Sequence, residues 1–151
     1  MSEIQEFEIV RVASDKRRFL PLLLLGDESE AMIDRYLDHG VLYVAMRGTS
    51  ALAVCVTLDL DENTVEVKNL AVRPDCQRQG IGRRMLMHVE TVNSGKKIFL
   101  GTGETPSTLH FYHSCGYVYS HRIPGFFTEN YPLPIVEEGV TLCDMIYLKK
   151  G

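Results

Sequence analysis

At 151 residues, 45% of them hydrophobic and 24% charged, the chain has the size and composition of one globular domain with a buried core, which excludes a disordered or fibrous polypeptide. A formal net charge of −4 speaks against a nucleic-acid partner, because no overall excess of Lys and Arg is present to neutralise phosphates. The opening MSEIQEFEIV carries acids and no long apolar run, and the richest apolar patch, Phe19 to Leu25, is short and holds Pro21; neither a leader nor a membrane span is expected.

The cytoplasm is therefore the expected compartment. The cysteines Cys55, Cys76, Cys115 and Cys143 form no C-x-x-C pair, and such a compartment keeps them reduced. Cys76, beside a glycine turn, reads either as a reactive thiol at a helix start or as an inert neighbour.

In chain order, Phe7 to Val12 alternates as a strand. Ser14-Asp15 offers an N-cap for a helix carrying Arg17, Arg18, Phe19 and Leu22 to Leu25, broken at Gly26-Asp27. A second helix over Glu28 to Asp38 sets Met32, Tyr36 and Leu37 on one face, with His39-Gly40 as its C-cap signal. Val41 to Arg47 and Ala51 to Leu58 form a hairpin around Gly48-Thr49-Ser50, and Asp59 to Asn63 is a polar turn. Val65 to Val72 is the next strand, stopped by Arg73-Pro74.

The glycine turn Gln77-Arg78-Gln79-Gly80-Ile81-Gly82 then leads into a helix starting near Arg83, with Met85, Leu86, Val89 and Val92 at helical spacing and Asn93-Ser94-Gly95 as its end. Ile98 to Leu100 is a short strand, Gly101 to Glu104 a loop, and Pro106-Ser107 opens a helix running to Cys115. Tyr117 to Ser120 extends as a strand. Arg122 to Gly139 is irregular, proline-bearing and aromatic, and Val140 to Leu148 closes the sheet. No repeat or linker interrupts this α+β order.

Strand, glycine turn and helix together make a backbone cradle for an anion. First-turn N–H groups point outward, the helix dipole adds positive character, and glycine allows close approach. Arg73, Arg78, Arg83 and Arg84 surround this turn in an otherwise acidic chain, which suits a small polyanion better than a polymer. His110 and His113 with Cys115 have a loose metal-ligand spacing, but no fourth ligand stands out and no metal is expected. Gly101-x-Gly103 lacks the rest of any nucleotide-loop motif.

Gln77-x-x-Gly80-x-Gly82 matches the Q/R-x-x-G-x-G/A signature of the GNAT superfamily of N-acetyltransferases. Its surroundings, Leu70-Ala71-Val72-Arg73-Pro74 before and Leu109-His110-Phe111-Tyr112 with Cys115-Gly116-Tyr117 after, extend the resemblance over Val65 to Tyr117. The resemblance implies a single GNAT-like domain over residues 1–151, of acyl-CoA N-acyltransferase fold. Its mixed central sheet would have about seven strands splayed between strands 4 and 5, with about four helices. It implies acetyl-CoA as acyl-donor cosubstrate, no metal, and transfer of the acetyl group to a primary amine, small-molecule in the preferred reading. A protein or peptide amine, or a non-catalytic acyl-CoA-binding regulatory module, is the alternative; a homodimer stays open.

Residue by residue, the resemblance assigns pantetheine pairing to the backbone of Leu70, Ala71 and Val72. Pyrophosphate contacts fall to Gln77, Arg78, Gln79, Gly80, Ile81, Gly82 and Arg83. Where the family commonly has an asparagine seven positions before the tyrosine, this chain has Thr105, with Thr108 close behind, so hydroxyls replace the amide. Glu66 would be the general base, needed because an alkyl ammonium with a pKa near ~10 must lose a proton before it attacks. The plainer reading of Glu66 is a solvent-facing strand residue beside Lys68. Tyr112 would protonate the leaving thiolate; its plainer reading is a packed ring. Leu22 to Gly40 and Arg122 to Tyr131 would flank the acceptor, with Phe126, Phe127, Tyr131, Glu129 and Asp34 suiting a small, partly apolar amine.

Overall fold

The structure, a computed structural model, describes residues 6–151; the reading of the first five residues as carrying no leader lies outside the described residues. The chain forms two compact units, one up to Ser94 and the other Gly95–Gly151. Among the described residues, no helix is long and apolar enough to cross a membrane.

The first unit is built on four antiparallel strands, β1 (Glu8–Val12), β2 (Val41–Arg47), β3 (Ser50–Asp61) and β4 (Thr64–Val72), paired in that order. Their apolar alternation divides the side chains between two faces. Leu42, Val44, Val54, Val56 and Ala71 join a buried cluster with Leu22, Leu23, Ile33, Tyr36 and Leu37 from the segment after β1. On that segment lie α1 (Leu20–Gly26) and α2 (Glu30–Asp34). Helix α3 (Ile81–Val92) packs against β3 and β4, and its His88 ring meets Tyr43 of β2 edge-on. Burying each such aliphatic side chain contributes about 1.5–3 kcal/mol.

Several expected boundaries shift for local reasons. The first helix begins as a 3-10 turn over Lys16–Phe19, with Asp15 at the expected N-cap position but at φ 51 and, among the described residues, without a side-chain capping bond. The second helix is shorter than Glu28 to Asp38, because Ser29 caps it, its Oγ accepting from the Met32 N–H at 3.2 Å. Its buried residue is Ile33 rather than Met32. Gly40 does not adopt a left-handed cap; a Cβ there would meet the Thr57 carbonyl at 2.7 Å, so close strand approach demands the glycine. Strand β3 continues through the polar Asp59 to Asp61 because these residues still pair with Val65 and Thr64 of β4. Val92 is exposed and does not belong to the buried stripe of α3.

The second unit pairs three strands, β5 (Lys97–Gly103), β6 (Val118–Ile123) and β9 (Met145–Lys150), with β9 between the other two. The seven strands of the two ladders agree with the number expected. Gly101 to Gly103 belongs to β5 instead of a loop. The glycines are required where Met145, Tyr147 and Leu142 side chains lie across the strand, the nearest atoms 2.5 to 3.1 Å from the missing Cβ positions. The stretch expected to be irregular contains a short helix, α5 (Phe126–Asn130), and a two-strand hairpin, β7 (Val136–Glu137) with β8 (Val140–Thr141). With α4 (Pro106–Ser114) this makes five α-helices among the described residues, against about four expected.

Candidate active site

In the first unit the expected site residues follow one another along β4, the glycine turn and the start of α3. Leu70, Ala71 and Val72 pair with Cys55, Val54 and Ala53 of β3. Further back the register slips: Asn69 lies opposite Val56 and Val67 opposite Thr57, which leaves Lys68 as the extra residue of a β-bulge. Glu66 is only 8% exposed, which overturns the solvent-facing reading. Its carboxylate accepts from Lys68 Nζ at 3.2 Å, so the expected neighbour is a true partner.

The strand end is closed by its own side chains. Arg73 N–H donates to the Leu52 carbonyl at 2.8 Å, and its guanidinium grips Asp75 through contacts of 2.7 and 3.1 Å, holding that carboxyl below its ordinary range. Pro74–Cys76 makes a 3-10 turn in which Cys76 is buried. Gln77 then reaches back, its Nε2 donating to the Val72 carbonyl at 3.2 Å. Arg84 stacks over Phe7 at 4.0 Å. Arg73 and Arg84 are thus engaged locally, and Arg78, Arg83 and Arg84 all lie at the surface.

The turn itself alternates in handedness. Arg78 has φ 64 and Gly80 φ 80, and a Cβ on Gly80 would meet nothing within 4 Å among the described residues, so glycine is needed there for its dihedral rather than for space. Left-handed residues in such a turn direct backbone N–H groups to one side, the geometry of an anion-binding nest. The first helical bond of α3, Arg84 N to Gly80 O at 3.0 Å, comes after the N–H groups of Ile81 and Gly82. Donor set and helix end fit a pyrophosphate.

Beside this strand lies a buried polar chain that no local sequence pattern signals. Asn69 Nδ2 donates to the Leu23 carbonyl at 2.9 Å and to Tyr36 Oη at 3.1 Å, and Tyr36 donates to Asp27 Oδ2 at 3.1 Å. Burial and then the Asp27 charge push the Tyr36 phenol upward. Asn69 Oδ1 is buried with no hydrogen-bond partner among the described residues and is pressed against Gly26. Asp34, expected to face an amine, is instead paired with Arg17 together with Glu30.

In the second unit, Tyr112 sits on α4, and the Cys115-Gly116-Tyr117 signature resolves into a helix cap. Gly116 has φ 96; its N–H donates to the His113 carbonyl and that of Tyr117 to the Tyr112 carbonyl, each at 3.0 Å. This is the Schellman arrangement, and its customary apolar contact is the edge-on packing of the Tyr112 and Tyr117 rings, 6.2 Å apart. The spacing from tyrosine to glycine in the motif is therefore set by how the helix ends. Lys150 braces the cap, donating to the Cys115 carbonyl at 2.8 Å. Thr105 precedes α4, is 1% exposed, and its Oγ1 donates to Thr108 Oγ1 at 2.9 Å, so the two hydroxyls face one another. His113 Nδ1 lies 3.0 Å from the Tyr117 carbonyl. Phe126 and Phe127 of α5 form a ring cluster with Tyr131 just after it, and the start of the helix is pinned by Asp144 accepting from the Gly125 N–H at 2.9 Å.

A family model described as the acetyltransferase (GNAT) domain matches residues 38–119. An uncharacterized N-acetyltransferase of Bacillus subtilis (strain 168), YvbK, is 33% identical over 133 residues, covering 84% of this chain and 84% of its own. Among solved structures, a GNAT family acetyltransferase from Elizabethkingia anophelis with acetyl-CoA bound aligns at a TM-score of 0.89 and 34% identity, over 97% of this chain and 98% of that one. An IAA acetyltransferase from Bacillus cereus ATCC 14579 aligns at 0.89 and 33% identity, over 95% and 98% of the two chains.

Proposed function

Because the chain belongs to the acetyltransferase (GNAT) family, we propose that it transfers an acetyl group from acetyl-CoA to a primary amine of a small molecule by direct attack. The observation that carries this reading is the continuous run from a buried Glu66 through a bulged strand to the left-handed turn at Arg78 and Gly80. The Elizabethkingia relative, which holds acetyl-CoA, supports the donor, and the N-acetyltransferase name of the Bacillus subtilis relative supports nitrogen as the acceptor atom. The reading treats residues 1–151 as one catalytic domain, in keeping with a family match that runs past the boundary between the two compact units.

Acetyl-CoA, when bound, supplies an acyl group activated as a thioester. The N–H groups of Gln77 through Arg83 and the charge of Arg78 would hold its pyrophosphate, and the backbone of Leu70, Ala71 and Val72 its amide arm. Thr105 and Thr108, whose hydroxyls already bond each other, are the positions that replace the family's asparagine. Glu66 Oε would accept a proton from the amine nitrogen, and Tyr112 Oη would give one to the departing sulfur. One N–C bond forms, one C–S bond breaks, and the thiol leaves as free coenzyme A.

The test is release of free thiol from acetyl-CoA with a panel of primary amines, alongside calorimetric titration with coenzyme A. Turnover with at least one small amine is expected, and Glu66→Gln should lower kcat about 10²–10⁴-fold with coenzyme A affinity unchanged. Tight coenzyme A binding without turnover of any small amine would refute the reading.

A further inference from the structure

Lys68 is not a surface lysine that happens to lie near an acid. It is the extra residue of the β4 bulge, and its ammonium lies 3.2 Å from the carboxylate of Glu66, two positions away. Its side chain is 28% exposed and that of Glu66 10%, so the pair is largely withdrawn from water. Exposed pairs are worth little; a withdrawn pair is different, because removing one partner leaves a charge buried without compensation.

The ammonium is also held from a second side. Lys68 Nζ lies 5.8 Å from the centroid of the Tyr36 ring, within cation–π range. That ring is fixed at its hydroxyl, which donates to Asp27 Oδ2 and accepts from Asn69 Nδ2. Asn69 in turn is tied to the α1 backbone through the Leu23 carbonyl. A chain of fixed groups thus runs from α1 and α2 through Tyr36 to Lys68 and ends on Glu66.

We propose that Lys68 is a positioning residue for the reaction: clamped between the Tyr36 ring and the Glu66 carboxylate, its ammonium holds that carboxylate aimed to accept the amine proton. The inference rests on the reading of Glu66 as the base. Lys68 exchanges no proton in the proposed step: the proton passes from the amine nitrogen to Glu66, and no bond changes at the lysine. The titratable and charged groups on elements packed against β4 include Tyr36 and Asp27 from the α1–α2 segment, Cys55, Asp59 and Asp61 from β3, and Arg83, Arg84, His88 and Glu90 from α3. Burial pushes the Tyr36 and Cys55 protons upward, the latter to about 12, so both stay neutral near pH 7. Asp27 and Asp59 carry the same charge sign as Glu66. The ammonium of Lys68 meets the Glu66 carboxylate directly.

The experiment uses the full chain as wild type, Lys68→Met, Lys68→Gln, Lys68→Arg and Glu66→Gln. The pH profile of kcat/KM is measured by thiol release, and the Glu66 carboxyl is titrated by carbon-13 NMR, which needs no acceptor. With Met or Gln at 68, both the Glu66 titration and the acid limb of kcat/KM should move to higher pH, because the opposite charge beside the carboxylate is gone. Arginine should restore most of the shift, and coenzyme A affinity should stay constant. An unchanged Glu66 titration in both neutral variants overturns the inference. So does an unchanged acid limb in an enzyme that Glu66→Gln has already crippled. A full rate in Glu66→Gln sinks the base reading instead, and Lys68 loses its catalytic role with it even where the NMR shift shows the pair intact.

Discussion

Gly26→Ala is a substitution at which two effects of opposite sign compete. Gly26 is the last residue of α1 and its φ is not positive, so helix propensity alone favours alanine by about 1 kcal/mol. A Cβ built there, however, would lie 2.1 Å from Asn69 Oδ1 and 2.9 Å from its Cγ. The amide must swing away, and with it go the bonds from Nδ2 to the Leu23 carbonyl and to Tyr36 Oη. Two bonds at about 1 kcal/mol each, and a buried amide left unsatisfied at about 1–3 kcal/mol, outweigh the propensity gain and leave a net loss of roughly 2–4 kcal/mol. For a chain of this length that is a fall in Tm of roughly 5–15 °C. The decisive assay is a double-mutant cycle by urea unfolding. In an Asn69→Ala background the obstacle is gone, and Gly26→Ala should be neutral or stabilising by up to about 1 kcal/mol. If Gly26→Ala stabilises the wild type, or costs the same in both backgrounds, the steric argument is wrong.

Two further predictions concern titration and thiol chemistry. The Tyr36 phenol is held above its ordinary value of 10.0 by burial and by Asp27, so the native state keeps a proton that the unfolded chain releases. Its stabilising contribution is complete below about pH 10 and is lost as pH rises above it. Chemical denaturation at pH 9, 10 and 11 should show a steeper loss in wild type than in Tyr36→Phe, whatever their absolute stabilities; equal slopes would refute this. Cys55, Cys76 and Cys115 are buried and Cys143 is exposed. A chromogenic disulfide reagent should therefore label one thiol quickly in the native protein and four after denaturation, and Cys143→Ser should abolish the fast phase. Rapid labelling of Cys76 would revive the reactive-thiol reading.

The elements most legible in the sequence were those whose residues state both their period and their ends. Val65 to Val72, Arg73-Pro74, the glycines at 80 and 82 and the apolar stripe of α3 mark strand, stop, turn and helix by local rules alone. Elements set by distant partners were illegible. Gly101 to Gly103 looks like a loop until Met145, Tyr147 and Leu142 are known to lie across it. The place of β9 between β5 and β6 leaves no local mark, and α5 owes its start to Asp144, far along the chain. Within the candidate site the same division holds. The turn was readable because positive φ selects glycine. The burial of Glu66, the bulge at Lys68 and the Asn69–Tyr36–Asp27 chain were not, because one polar residue in a strand looks alike whether it meets water or a buried carbonyl.

The order of strands in the second unit bears on how the protein can be made. Because β9 supplies the ladder partners of both β5 and β6, a ribosome must deliver Met145–Lys150 before either earlier strand can be completed. Until then a nascent chain carries two strands with open edges, one of them bearing the exposed Val118, Tyr119 and Ile123. The first unit faces no such delay, since each of its strands pairs with the next one in the chain and its last strand ends at Val72. Synthesis therefore leaves a settled amino-terminal half waiting on an aggregation-prone carboxy-terminal one. Fragments that stop short of Lys150 should burden chaperones more than their small size suggests.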